Sequence, residues 1–402
     1  MKIPELLAPA GNMEKGLVAI EYGADALYLA GQEFGMRAQA GNFSPAELKE
    51  ILSVARAKGV KIYVTVNVFA HNDEIDALPA YLQQLAELEV DGIILADVGV
   101  YKLAREHAPN IPLHLSTQAN TVNYRAAQFW ADLGFSRLVM ARELSREEIG
   151  RIRRETSAEI EVFVHGSMCM AYSGRCLLSN FLTGRDANRG ECAQSCRWRY
   201  AVVEERRPGE YMPIEEDEGG THIFNSKDLR LIEYIPDLVE IGVDSLKIEG
   251  RMKSSFYVAT VVRAYRQALD LYARDPKNYV LPRELLDELE KISHRPYYAG
   301  FFVPGGAGIH RPTGSYLRDY NIVGIVESFD EKSGRAVVGV RNQLPVGTEV
   351  EVMQPRGPVL RLTVDEMSDE KTGDALKEAH ANFLVSMPMP EVKPFSILRC
   401  KR

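Results

Sequence analysis

Four of the chain's five cysteines fall in one stretch, at Cys169, Cys176, Cys192 and Cys196, spaced C-x6-C-x15-C-x3-C. Thiols at such intervals can cross-link, hold a metal or attack a substrate. A zinc-binding pattern of two C-x2-4-C knuckles would match only the second pair, because the first is too wide. An iron–sulfur cluster requires only that four thiolates converge in space, so uneven spacing along a long loop suits it. Structural zinc and catalytic thiols stay open as alternatives. Disulfides fit least, because residues 1–20 carry no secretory pattern and a reducing compartment disfavours them. Cys400 stands apart near the end of the chain and belongs to a different region.

Other candidate groups cluster where apolar runs end. His114 and Gln118 occur in "PLHLSTQ", His165 closes "IEVFVHG", and "DSLKIEGR" supplies Lys247, Glu249 and Arg251. Alternation along an extended strand puts Lys247, Glu249 and Arg251 on one face. A guanidinium pairs bidentately with carboxylates, so Arg251 is a candidate anchor for a small dicarboxylate, with Lys247 beside it and Glu249 as the acid–base candidate. His114 and His165, each at a strand end, are placed to meet on an active face. Cys169 with His165 could form a nucleophile–base dyad, although that would leave the other three cysteines unexplained. There is no H-E-x-x-H and no G-x-S-x-G, the commonest hydrolase patterns.

From Arg175 to Tyr200 the chain carries five arginines against two acids, with Trp198 and Tyr200 interleaved. Arginines with aromatic rings suit the phosphates and unstacked bases of single-stranded RNA, so Arg197 and Trp198 are candidate RNA contacts. The overall charge of −8 argues against a protein that coats nucleic acid non-specifically, and leaves room for such a local patch.

These groups need a frame. Short β-branched apolar runs alternate eight times with amphipathic stretches over the first 250 residues, the number that closes a parallel barrel. In "SPAELKEILSVARAKG", Ser44 reads as an N-cap, Pro45 as the first helical residue and Gly59 as the stop. No G-x-G-x-x-G follows the first run, which counts against a dinucleotide-binding open sheet. The expectation is a TIM-like (β/α) barrel over residues 1–315, with a cysteine-bearing insertion at 167–243 between the seventh and eighth strands. Loops at that end of a barrel build active sites. Residues 316–402 change to short alternating strands, expected to form a small all-β barrel domain. No stretch of about 18 uncharged apolar residues occurs, so no membrane contact is expected, and the chain reads as cytoplasmic.

The stretch "EVFVHGSMCMAYSGRCLLS" resembles the signature of peptidase family U-32, the collagenase-like peptidases. "ELLAPAGN", "STQANTVN", "ECAQSCRWRY", "FNSKDL", "DSLKIEGRMKS" and the β-rich tail are similar to that family as well. The resemblance covers nearly the whole chain and is strongest to a bacterial branch tied to tRNA hydroxylation. It implies an enzyme forming 5-hydroxyuridine at the wobble position of tRNA, with prephenate as hydroxyl source and a [4Fe–4S] cluster on Cys169, Cys176 and Cys192. The fourth ligand is implied to be Cys196, since the cysteine that close relatives carry in "NSKDLC" is Arg230 here. Sister branches imply peptidase action or hydroxylation of ribosomal RNA or quinone as alternatives. A second copy or a paralogue is a possible partner.

Overall fold

A computed structural model of the chain describes residues 2–32, 34, 41–168, 178–185, 192–193, 195, 216–217, 220–221, 227–304 and 317–402. Eight parallel strands form its centre: β1 (Glu5–Pro9), β2 (Ala26–Leu29), β3 (Lys61–Thr65), β4 (Gly92–Leu95), β5 (Leu113–Leu115), β6 (Arg137–Val139), β7 (Glu159–Ser167) and β8 (Ser245–Ile248). Each pairs with the next, and β8 pairs with both β7 and β1, so the sheet closes. All eight lie where apolar runs were expected. The barrel is therefore the TIM-like frame anticipated from alternation alone.

The connecting helices are set by local chemistry. Helix Pro45–Ala57 begins at Ser44, whose side chain accepts from the Glu47 amide while Glu47 returns to the Ser44 backbone. Its Leu48, Ile51, Leu52 and Ala55 are buried against the sheet, the spacing of one helical face. After β8 the long helix Ser255–Arg274 buries Phe256, Val258, Val261, Val262, Tyr265 and Leu269. No described helix is long and apolar enough to cross a membrane.

The expected small β-barrel takes the form of an antiparallel half-barrel. Strands Tyr320–Asp330 and Arg335–Val340 sit at the middle of an eight-stranded sheet with its own core, including Val326, Val338, Val352, Val385 and Met387. It docks on the barrel's flank through buried polar contacts. Arg399, fully buried, bonds Glu351 at 2.8 Å and Glu288 at 2.7 Å, and the Tyr22 hydroxyl donates to the Met353 carbonyl at 2.7 Å. Glu288 belongs to helix Arg283–Glu290 of the barrel unit, so one guanidinium ties the two units together.

Of the cysteine-rich insertion, Cys192 is described and exposed. Cys169, Cys176 and Cys196 lie outside the described residues, as do Arg197 and Trp198.

Candidate active site

The barrel lumen is polar at its centre. Glu161, wholly buried on β7, accepts from Lys247 of β8 at 2.6 Å and from Arg137 of β6 at 3.3 Å. Arg137 also reaches Glu5 of β1 at 2.6 Å and Glu159 at 2.7 Å, and the Tyr63 hydroxyl donates to Glu5 at 2.8 Å. Successive side chains along each strand point alternately in and out. Glu5, Tyr63, His114, Arg137, Glu161 and Lys247 all occupy inward positions, and Leu7, Ala26, Tyr28 and Ile94 fill the space beside them. Two carboxylates and two cations enclosed at this density satisfy each other, which a buried charge requires.

Lys247, a member of this network, also faces two aromatic rings. Its ammonium is 4.5 Å from the centre of the Tyr28 ring and 5.5 Å from that of Phe163. Burial pushes its amine below the usual lysine range, against the pull of Glu161, and the charges of Arg137 and Arg142 add to the lowering. Burial likewise holds the His114 ring well below the usual histidine range, helped by Arg137 and Lys247. That ring meets Tyr63 edge-on at 4.6 Å and is uncharged at neutral pH.

The C-terminal rim of the barrel carries the remaining groups. Beyond Ile248 the chain turns, and Arg251 folds over the mouth to donate to Thr65 at 3.3 Å and to Asn42 at 2.5 Å. Gly11 makes this possible, because a Cβ there would lie 2.1 Å from the Arg251 carbonyl. Gln118, buried in a 3-10 turn capped by Ser116, accepts from Asn67 at 2.7 Å. Its own amide nitrogen has no partner among the described residues; nor do Asn67 Oδ1, Asn120 Oδ1, Thr121 Oγ1 and Arg142 Nε. Buried polar atoms normally find partners, so this concentration at one end of the barrel marks it as the place for a ligand.

The structure sorts the sequence-derived candidates. Lys247, Arg251, Gln118 and His114 gather at the lumen and mouth. Glu249, half-buried at the rim, follows β8, but it is not on one continuous strand face with Lys247 and Arg251, because β8 ends at Ile248. His165 does not join His114. A register shift after Lys247 pairs Ile248 with His165, and the His165 ring packs among Tyr257, Tyr265 and Tyr297. Two of those tyrosines belong to the long outer helix. Burial, with the charges of Arg230, His294 and Lys253, keeps His165 well below the usual histidine range.

Sequence reading missed Glu161 as the lumen carboxylate, together with Glu5, Arg137 and Arg142. Arg142, just after β6, stacks over Phe163 at 4.0 Å and donates to the Ser167 carbonyl at 2.7 Å. The available signal was a charged residue at alternate positions of runs that are otherwise apolar, as in "EIEVFVHG".

The fold is a closed parallel barrel followed by an antiparallel β-domain, and this chain belongs to peptidase family U32. The family model matches residues 11–310, and that of the peptidase family U32 C-terminal domain matches residues 318–399. Among curated relatives it is 42% identical over 401 residues to tRNA hydroxylation protein P1 of Bacillus subtilis, covering 99% of this chain and 95% of that one. It is 37% identical to tRNA hydroxylation protein P of Escherichia coli, over 96% of this chain and 94% of that one. The 23S rRNA 5-hydroxycytidine C2501 synthase of Escherichia coli is 39% identical over 266 residues, covering 66% of this chain and 39% of the synthase.

Proposed function

We propose that this chain is a tRNA hydroxylase that forms 5-hydroxyuridine at the wobble position, taking the hydroxyl group from prephenate. The observation that carries the reading is near end-to-end similarity to two proteins named for tRNA hydroxylation. The chemistry of the barrel supports it: a small carboxylate donor is matched by the cations Arg251 at the mouth and Lys247 in the lumen below, and an uncharged base by the amide of Gln118.

Cys169, Cys176, Cys192 and Cys196 would hold a [4Fe–4S] cluster. Four thiols in one excursion from the active end of the barrel fit that donor set, and the spacing does not fit paired zinc knuckles. When bound, the cluster supplies a redox or Lewis-acid centre. The chain's own residues do the rest. Arg251 orients the donor carboxylate from its fixed position on Asn42 and Thr65, and Lys247 offsets negative charge beneath it. Glu249 at the rim is the carboxylate available to take the proton released from the base. Arg197 and Trp198 would contact the RNA strand.

Nucleoside analysis of host tRNA tests the proposal. Deleting the gene should remove 5-hydroxyuridine derivatives, and expressing this chain should restore them; an unchanged level in the deletion strain would count against it.

A further inference from the structure

The mouth of the barrel holds a cation that nothing above has assigned to a ligand. Arg142 stands after β6, with its guanidinium carbon 4.0 Å from the centre of the Phe163 ring, a ring that the Lys247 ammonium also approaches. One of its N–H groups goes to the Ser167 carbonyl at 2.7 Å. Among the described residues no carboxylate pairs with it, and its buried Nε has no acceptor. A guanidinium offers five donors in a planar fork, and leaving buried ones unsatisfied costs free energy unless a ligand completes them. Arg251 reaches the mouth from the opposite side, anchored on Thr65 at the end of β3. In a ring of eight strands, β3 and β7 face each other, and Arg142 is fastened to the last residue of β7. Lys15, half-buried after β1, adds a further cation. Burial holds its amine below the usual range, and Arg251 lowers it further.

Resting on the reading of the mouth as a small-anion site, we propose that Arg142 is its second carboxylate anchor. The site then takes a dicarboxylate, one carboxylate on Arg251, the other on Arg142, with Lys247 beneath both. A single anchor would accept any monocarboxylate. Two cationic anchors on opposite walls select for a molecule with two acid groups at its ends, since without the second acid the buried Nε of Arg142 stays unsatisfied. Because Arg142 also holds Ser167, two residues before Cys169, the same side chain joins the ligand to the root of the cysteine segment.

Calorimetric titration of the full-length protein with malonate, prephenate, acetate and inorganic phosphate tests the assignment. The wild-type chain should bind at least one dicarboxylate tenfold or more tighter than acetate. Arg142→Gln should weaken that binding by roughly 10- to 100-fold, the range for losing a charge-assisted bidentate pair. Arg142→Lys, which can still reach the Ser167 carbonyl, keeps the folded state and should also lose the preference over acetate. Equal affinity of wild-type and Arg142→Gln for the dicarboxylates would overturn the proposal. So would phosphate binding in preference to both dicarboxylates, which would point to a nucleotide phosphate instead. The dicarboxylate result stands even if tRNA nucleosides prove unchanged in the deletion strain, so failure of the tRNA reading is seen separately.

Discussion

Lys247 and Glu161 meet at 2.6 Å inside the barrel, with neither exposed by more than 5%. Glu161 is shared with Arg137, so one carboxylate holds two cations in the lumen. Removing one partner of such a set leaves the others charged and dry, which typically costs about 3–5 kcal/mol. Glu161→Gln should therefore destabilise the chain by about that amount in urea unfolding. The double variant Glu161→Gln, Lys247→Met should be more stable than Glu161→Gln alone, because Arg137 retains Glu5 and Glu159. Strict additivity of the two substitutions would contradict the shared role of Glu161.

Both buried histidines set a pH dependence. Burial is the main cause holding His114 and His165 well below 6.5 in the folded chain, whereas in the unfolded chain they protonate near that value. The unfolded state therefore binds more protons below pH 6.5, so folded stability falls as pH drops from 7 toward 5. The slope is up to ~1.4 kcal/mol per pH unit for each histidine. Urea titrations at pH 7, 6 and 5 check this, and His165→Phe, which suits the surrounding tyrosine rings, should flatten the slope. A stability that rises over the same interval would be the contrary result.

The eight barrel strands were legible because each is a short, mostly apolar run between helical patterns. The helix after Ser44 was legible because its cap is written in the order Ser, Pro, Glu. The lumen network was not. A charged residue in a short strand reads as a solvent-facing position, and only closure of the sheet turns that face inward on Glu5, Arg137 and Glu161. The separation of His165 from His114 was also hidden, since a one-residue register shift beside Lys247 reverses the face of every later side chain. Arg251 was read as a mouth residue from strand alternation, and it reaches the mouth by a turn that Gly11 makes room for.

The joint between the two units rests on Arg399. Burial pushes the Glu288 carboxyl up, but hydrogen bonds and charge from Arg399 and Lys291 more than offset this and hold it below its usual range. Arg399→Met should destabilise the chain by about 3–5 kcal/mol, because Glu288 and Glu351 would stay buried with one cation fewer. Hydrogen exchange along Tyr320–Asp330 should speed up in that variant. Exchange at the wild-type rate would show that the guanidinium does not hold the units together.

Peptidase action by a Cys169–His165 dyad would need a ring free to accept a thiol proton, and His165 is enclosed by three tyrosine rings with 1% exposure. The purified protein should leave denatured collagen intact over hours at 37 °C. Cleavage abolished by Cys169→Ser would reverse that conclusion.

The most direct test of tRNA hydroxylation is mass spectrometry of nucleosides from a deletion strain carrying wild-type, Cys192→Ser or Arg251→Gln forms of this chain. Wild-type should return 5-hydroxyuridine derivatives to the parental level, and the two variants, expressed at equal amounts, should return less than about a tenth of it. Parental levels in the empty deletion strain, or full restoration by both variants, would contradict the assignment.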